Sequence, residues 1–263
     1  MKKVVSLSWF RHGNSGYEQP ASGTSQGIFF LNFMRSVVRA HHAAFPDWQL
    51  RIHHDDRVTE FPYFNVLRKM HLKGLLKLEF MGKADLLAAS MLWRLWPIYD
   101  PSVEVVAFRD IDSLPMHRDY KMLEQFVANS RATLHVLHDS ESHSGPLMGG
   151  MTACKTAAVR AVLPLAEIEN RLKDWLPRLN THGADQHFMN QEIYPKMAKD
   201  LLVHTKRNIM KYPCYRAVPV LPQETELDKV IQHVGAAYDT EKVMEILFRT
   251  DYPNKALIEE CEL

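Results

Sequence analysis

The chain has 263 residues, of which 46% are hydrophobic and 24% charged, and its formal net charge is +1. That length and apolar share support one large α/β domain, or a domain with a small appendage, and exclude a generally disordered chain. The charge balance argues against a nucleic-acid-coating surface, and three scattered cysteines, Cys154, Cys214 and Cys261, argue against a disulfide framework. A reducing compartment, the cytoplasm, is expected. The N-terminal apolar run is too short for a signal peptide, and no stretch reaches the length of a membrane span.

Residues 4–9 are β-rich and lead into a Gly/Ser/Asn/Pro-rich loop over 13–27. Phe30, Phe33, Met34, Val37, His41 and Phe45 then recur at helical spacing, and Pro46 ends that helix. A short strand over 48–53 runs into the polar cluster His53, His54, Asp55, Asp56. A helix over 64–72, a strand over 75–80 and a helix over 85–96 follow, the last stopped by Pro97. Residues 103–108 form an apolar run of the kind found in buried central strands. The pattern then predicts a helix over 119–129, a strand over 132–137, helices over 165–176 and 185–197, strands over 201–204 and 229–234, and a last helix over 241–249. Strands separated by helices imply a mostly parallel sheet with helices on both faces. Such sheets bind ligands beyond the carboxyl ends of their strands.

The segment VEVVAFRDIDS carries the chemistry. Its apolar strand delivers Asp110 and Asp112, and side chains at i and i+2 of an extended backbone share one side. Two carboxylates so placed can grip a hard divalent cation that bridges phosphate oxygens. Such a cation offsets the charge that builds on a departing nucleoside diphosphate. His204, in the strand-like LLVHT, could complete the site as an imidazole ligand suited to manganese. Arg94 and Arg109 are candidates for phosphate or carboxylate contacts. Asp55 and Asp56 could bind a base or ribose. Gly149 and Gly150 would let a ligand approach the backbone closely, and the polar loop His138, Asp139, Glu141, His143 either meets acceptor hydroxyls or is solvated.

FRDIDS resembles the DxD segment of GT-A glycosyltransferases. MLWRLWPIYDPSVEVVAFRDIDS resembles the stretch of glycogenin-like and bacterial lipooligosaccharide galactosyltransferases in which an arginine-bearing helix precedes the DxD strand, with Arg94 in the arginine position. HSGPLMGGMTACK resembles the glycine-containing segment on the acceptor side, which holds Gly149 and Gly150. GADQHFMNQEIYP resembles the DQ helix start, placing Asp185 and Gln186 beside the donor sugar. IQHVGAAYD resembles the late HxxG segment whose histidine is a metal ligand, here His233 with Gly235. No lysine-proline-tryptophan follows it, and this tail looks closer to polysaccharide-type and viral or bacterial relatives.

The resemblance spans roughly residues 1–240. It implies a GT-A-like domain there, with a helical C-terminal segment over 241–263 packed on it. The implied enzyme is a glycosyltransferase that uses Mn2+ or Mg2+ and moves a sugar from a nucleotide-diphosphate sugar to a hydroxyl of a glycan or glycoconjugate. Ser8, Phe10 and Arg11 would cradle the nucleoside, and Asp110, Ile111 and Asp112 the diphosphate. His204 and His233 both stand as the further metal ligand. Asp185 would be the base of an inverting enzyme, or with Gln186 would flank the sugar in a retaining one. Neither nucleic acid nor a membrane span is expected.

A haloacid-dehalogenase-like phosphohydrolase also places DxD after an apolar strand, with the first aspartate as nucleophile. That motif normally lies near the N-terminus, whereas here it is mid-chain and followed by Ser113-Leu114-Pro115. A nucleotidyltransferase would want a glycine-rich basic loop after the first strand, of which Arg11, Gly13 and Gly16 are a faint version. A non-catalytic nucleotide-sugar binder is the remaining alternative.

Overall fold

The computed structural model describes residues 2–10, 25–83, 87–141, 143, 145–175, 183–206, 212–236 and 238–263, with side chains described except at 25–33, 62 and 87–89. Its strands are β1 (Lys2–Trp9), β2 (Gln49–His54), β3 (Lys77–Phe80), β4 (Val103–Phe108), β5 (Leu134–His138), β6 (Thr152–Lys155), β7 (Leu201–Thr205) and β8 (Arg216–Pro219). They form one sheet in the order β3-β2-β1-β4-β6-β5-β7-β8. All pairings are parallel except those of β6, which runs antiparallel to both β4 and β5. The expected α/β class, a mixed and mostly parallel sheet flanked by helices, is what the chain forms.

Period-two alternation explains the two cores. Val5, Leu7, Trp9, Val105 and Ala107 turn to one face. There they meet α1 (Ser25–Ala44), α2 (Pro62–Leu72), α4 (His117–Ala128), α10 (Thr240–Arg249) and α11 (Lys255–Glu262). Val106, Phe108, Val136 and Val203 turn to the other. That face is covered by α5 (Thr156–Val162), α6 (Leu165–Trp175), α7 (Ala184–Glu192) and α8 (Tyr194–Met197). Strand β4 is thus apolar on both faces, as an interior strand must be. The C-terminal helices are tied down by Glu262, which accepts from Arg39 Nη2 at 2.6 Å, Arg35 Nη2 at 2.8 Å and Tyr63 Oη at 3.0 Å.

Two expected elements differ. The helix expected over 85–96 becomes α3 (Leu87–Leu92) followed by a 3₁₀ turn, Trp93–Tyr99. There the Arg94 backbone N–H is spent on Ser8 Oγ at 3.0 Å rather than on an α-helical carbonyl. The strand expected over 229–234 does not form. Helix α9 (Glu226–Lys229) starts on a capping box between Thr225 and Asp228, and the chain then bends. Backbone groups there bond to side chains instead of a ladder: Ile231 O accepts from Gln223 Nε2 at 2.6 Å, and Val234 N–H donates to Asp139 Oδ2 at 2.8 Å. Sequence patterning overlooks β6, α5 and β8, which are too short to show a period.

Candidate active site

Because β1, β2 and β4 are parallel, their carboxyl ends open on one edge of the sheet. Strand β6 brings a different part of the chain to the same place. It pairs with β4 through Val105↔Lys155, Val106↔Cys154 and Ala107↔Ala153. Continued three residues past Ala107, this register puts Asp110 opposite Gly150. The contact is intimate: a Cβ on Gly150 would overlap Asp110 Oδ2 outright, and one on Gly149 would lie 2.7 Å from Asp185 Oδ2. The two glycines make room for two carboxylates.

Arg94 lies between those carboxylates. Its Nη1 donates to Asp110 Oδ1 at 2.6 Å, and its Nη2 is ion-paired with Asp185 Oδ2 at 2.6 Å. Nη1 also reaches Arg109 O at 3.2 Å and Nε reaches Met91 O at 3.3 Å, so the guanidinium is fixed by backbone as well as by charge. Arg94 and Asp185 are buried, whereas the Asp110 side chain is 42% exposed. Burial pushes the Asp185 carboxyl above the ordinary carboxylate range, Arg94 opposes that shift, and Asp110 adds to it.

Asp185 sits in the first turn of α7, after Gly183 with φ +81°. Asn190, four residues beyond Gln186, clasps the glycine segment: Oδ1 accepts from Leu147 N–H and Nδ2 donates to Leu147 O, both at 2.8 Å. Gln186 faces the same segment, its Nε2 lying 3.2 Å from where a Gly145 Cβ would stand. Sequence reasoning passes over Asn190. Its i+4 spacing from Gln186 on α7 is the signal that could have placed it on the same helix face.

Other expected residues fall in different places. Ser8 supports Arg94, and the Phe10 ring packs edge-on against Trp93 at 5.9 Å. Arg11 lies outside the described residues. Arg109 corrects the phosphate half of its expectation and bears out the carboxylate half. It is buried in a two-pronged pair with Asp119 on α4, Nε to Oδ2 and Nη2 to Oδ1, each 2.8 Å. Asp55 and Asp56 begin the 3₁₀ turn Arg57–Glu60, where Asp55 Oδ1 accepts from Val58 N–H at 3.1 Å and Asp56 O from Thr59 N–H at 3.2 Å. Ile111 packs partly against the core.

His204 is a second correction. Its Nε2 donates to Gln125 Oε1 at 2.9 Å, which leaves Nδ1 as acceptor of the His135 Nε2–H at 2.8 Å. Its one lone pair is therefore used inside the sheet, away from Asp110. Burial holds such imidazoles neutral: His204 and His53 are pushed down to about 4 and His41 to about 3. A depressed folded-state pKa gives stability that is complete above the ordinary histidine value and lost as pH falls through the folded value. Between pH 6.5 and 4 each such group should steepen the loss of stability by up to about 1.4 kcal/mol per pH unit. Urea unfolding at stepped pH checks this; a midpoint that stays flat over that interval would contradict it.

His233 stands beside His143, and His143 is the group that meets the field of Asp110. The His233 Nδ1–H donates to Val234 O at 3.0 Å, an arrangement that puts the lone pair of a neutral ring on Nε2. Its ring stands perpendicular to that of His143, with centroids 5.3 Å apart. Gly235, with φ +84°, packs so close to Met151 that a Cβ would overlap its Cε, which draws this segment onto the one carrying Gly150. Asp112 is exposed, and its charge is felt by Tyr238, whose hydroxyl bonds Ser36 at 2.9 Å.

Among the described residues no three His, Cys, Asp or Glu side chains converge into a finished metal cage. By donor type, the carboxylates of Asp110 and Asp112 and the imidazole of His233 suit a hard cation that takes much of its shell from a bound diphosphate.

No protein-family model and no curated protein matches the chain. Solved structures do resemble it. An active-site mutant of LgtC is 10% identical, over 97% of this chain and 99% of that one, with a TM-score of 0.48. S. aureus TarS in complex with UDP is 10% identical over 99% of this chain and 69% of that one, with a TM-score of 0.48. The mannosyltransferase PcManGT from Pyrobaculum calidifontis, in complex with GDP-Man and Mn2+, is 13% identical over 99% and 68%, with a TM-score of 0.43. All three TM-scores lie under one half, so the side chains, not the likeness, carry the functional conclusion. Among the described residues no helix is long and apolar enough to cross a membrane.

Proposed function

We propose that the chain is a GT-A-like glycosyltransferase that uses Mn2+ or Mg2+ to move a sugar from a nucleotide-diphosphate sugar to a hydroxyl of a glycan or glycoconjugate. The observation that carries this is Arg94 bracketed by Asp110 and Asp185 at the carboxyl edge of a parallel sheet, with Gly149 and Gly150 cut away to admit both carboxylates. Solved structures that resemble the chain include TarS with UDP and a mannosyltransferase with GDP-Man and Mn2+, and the reading asks the same class of donor of this chain. The C-terminal helices belong to the same domain in this reading, since Glu262 is locked to α1 and α2.

Asp110 and Asp112 would hold the cation, with His233 Nε2 as the nitrogen donor. When bound, the cation supplies charge neutralisation at the diphosphate leaving group. Ser8 and Phe10 would line the nucleoside end, beside Arg94, whose backbone N–H Ser8 accepts, and Trp93, against which Phe10 packs. Arg94, whose nitrogens already hold Asp110, Asp185 and two backbone carbonyls, would act by fixing those carboxylates and by its positive charge beside the donor. Asp185 is too enclosed between Arg94 and Gly149 to meet an acceptor hydroxyl, so it anchors Arg94 and flanks the sugar with Gln186, with Gly149 and Gly150 facing the acceptor. A haloacid-dehalogenase nucleophile fits less well, because Arg94 already occupies Asp110 Oδ1.

Asp112 is exposed, so Asp112→Ala should leave thermal stability within about 0.5 kcal/mol of wild type. The same change should abolish Mn2+-dependent hydrolysis of nucleotide sugars, read as nucleoside diphosphate release. Undiminished release would contradict the assignment.

A further inference from the structure

We propose that Asp139 is the positioning residue of this site, fixing where His143 and His233 stand and which nitrogen of each carries the proton. This rests on the reading of Asp110, Asp112 and His233 as the cation's holders.

Asp139 follows β5 and is fully buried. Its main chain and its side chain do different things. The N–H groups of Asp139 and Ser140 both donate to His143 Nδ1, at 3.2 and 3.3 Å, so the neutral His143 ring carries its proton on Nε2. The Asp139 carboxylate, through Oδ2, accepts the Val234 N–H at 2.8 Å. Val234 in turn accepts the His233 Nδ1–H, so a neutral His233 carries its proton on Nδ1 and its lone pair on Nε2. One residue thus sets two facing imidazoles in opposite tautomers, one as a donor and one as a ligand.

The carboxylate is itself clamped. Arg118 on α4 pairs with both its oxygens, and Lys206 after β7 reaches Oδ1 at 3.0 Å. The Arg118 backbone N–H holds Asp228 Oδ1 at 3.2 Å, at the start of α9. The segment carrying His233 has no ladder of its own, so this cluster sets its position at both ends. A group that orients a metal ligand through a backbone hydrogen bond acts as outer-shell partners do, and losing one costs about 10–100-fold in metal affinity.

The test uses two double variants, so that no buried charge is stranded. Arg118→Met with Asp139→Leu removes the acceptor for Val234 N–H; Arg118→Met with Asp139→Asn keeps an amide oxygen there. Long-range 1H–15N correlation reads the histidine tautomers, with His135 and His204 as internal controls of folding, and electron paramagnetic resonance reads Mn2+ affinity. Wild type should show His233 protonated at Nδ1 and His143 at Nε2. The leucine variant should lose the His233 pattern and weaken Mn2+ binding about 10–100-fold, and the asparagine variant should recover both. A wild-type His233 protonated at Nε2 overturns the proposal, and that spectrum decides even where the leucine variant fails to fold. So does a leucine variant that behaves as wild type, or equal losses in both variants, which would mark a merely structural pair. If wild type binds no Mn2+ while the tautomers still follow the acceptor, the metal reading falls and the positioning role stands.

Discussion

Gly150→Ala is expected to lower turnover of a nucleotide-sugar donor by about 100-fold or more, because a misplacement of about 1 Å at a reacting centre has that cost. The added methyl group would overlap Asp110 Oδ2, and Gly150 is not among the glycines with positive φ. Alanine is therefore acceptable to the backbone at this position, and the whole conflict falls on one carboxylate. Asp110 is half-exposed at the end of a rotatable side chain, so it can swing away with little loss of stability. Function should collapse while the unfolding midpoint moves by less than about 1 kcal/mol equivalent. Gly149→Ala presses on Asp185 instead, which is buried and held by Arg94, so there the stability loss should be the larger of the two. Steady-state turnover and urea unfolding of both variants separate these outcomes. Wild-type turnover in Gly150→Ala would mean that Asp110 does not act where it stands.

Arg94→Met is expected to destabilise the fold by about 3–5 kcal/mol, since it removes one partner of a buried ion pair and leaves the other uncompensated. The loss should depend on pH. Burial already raises the Asp185 carboxyl, and removing Arg94 removes the opposing influence. A raised folded-state pKa contributes stability at low pH that disappears as pH rises through it. Arg94→Met should therefore lose more at pH 8 than at pH 5, as measured by urea unfolding at each. Adding Asp185→Leu should return most of the stability, because a well-packed apolar pair often replaces a buried ion pair without loss. It should return none of the turnover. A double variant that recovers both would make Arg94 a structural residue and nothing more.

Strand β4 and the two aspartates after it were legible because an apolar run between polar flanks has one good solution, an interior strand. Arg94 was legible as a candidate but not as a bridge, since its bridging depends on α7 and β4 meeting across the glycines. The match of Asp110 to Gly150 depends on the antiparallel register of β6, a four-residue strand with no periodic signature. Arg109 and His204 misled for a shared reason. A charged or titratable residue beside an apolar strand looks the same in sequence whether it faces the ligand edge or a partner in the interior, and their partners, Asp119, Gln125 and His135, come from α4 and β5. The segment around His233 misled in the opposite way. Its apolar residues, Ile231 and Val234, are buried as a strand's would be, yet its backbone is satisfied by side chains.

The most direct measurement is anomalous diffraction at the manganese edge from crystals soaked with Mn2+ and a nucleoside diphosphate. A single strong peak should lie against Asp110 and Asp112, with His233 Nε2 turned toward it and diphosphate oxygens completing its shell. A peak held by other side chains, or nucleotide bound with both aspartates turned away, would contradict a cation-assisted sugar transfer at this edge of the sheet.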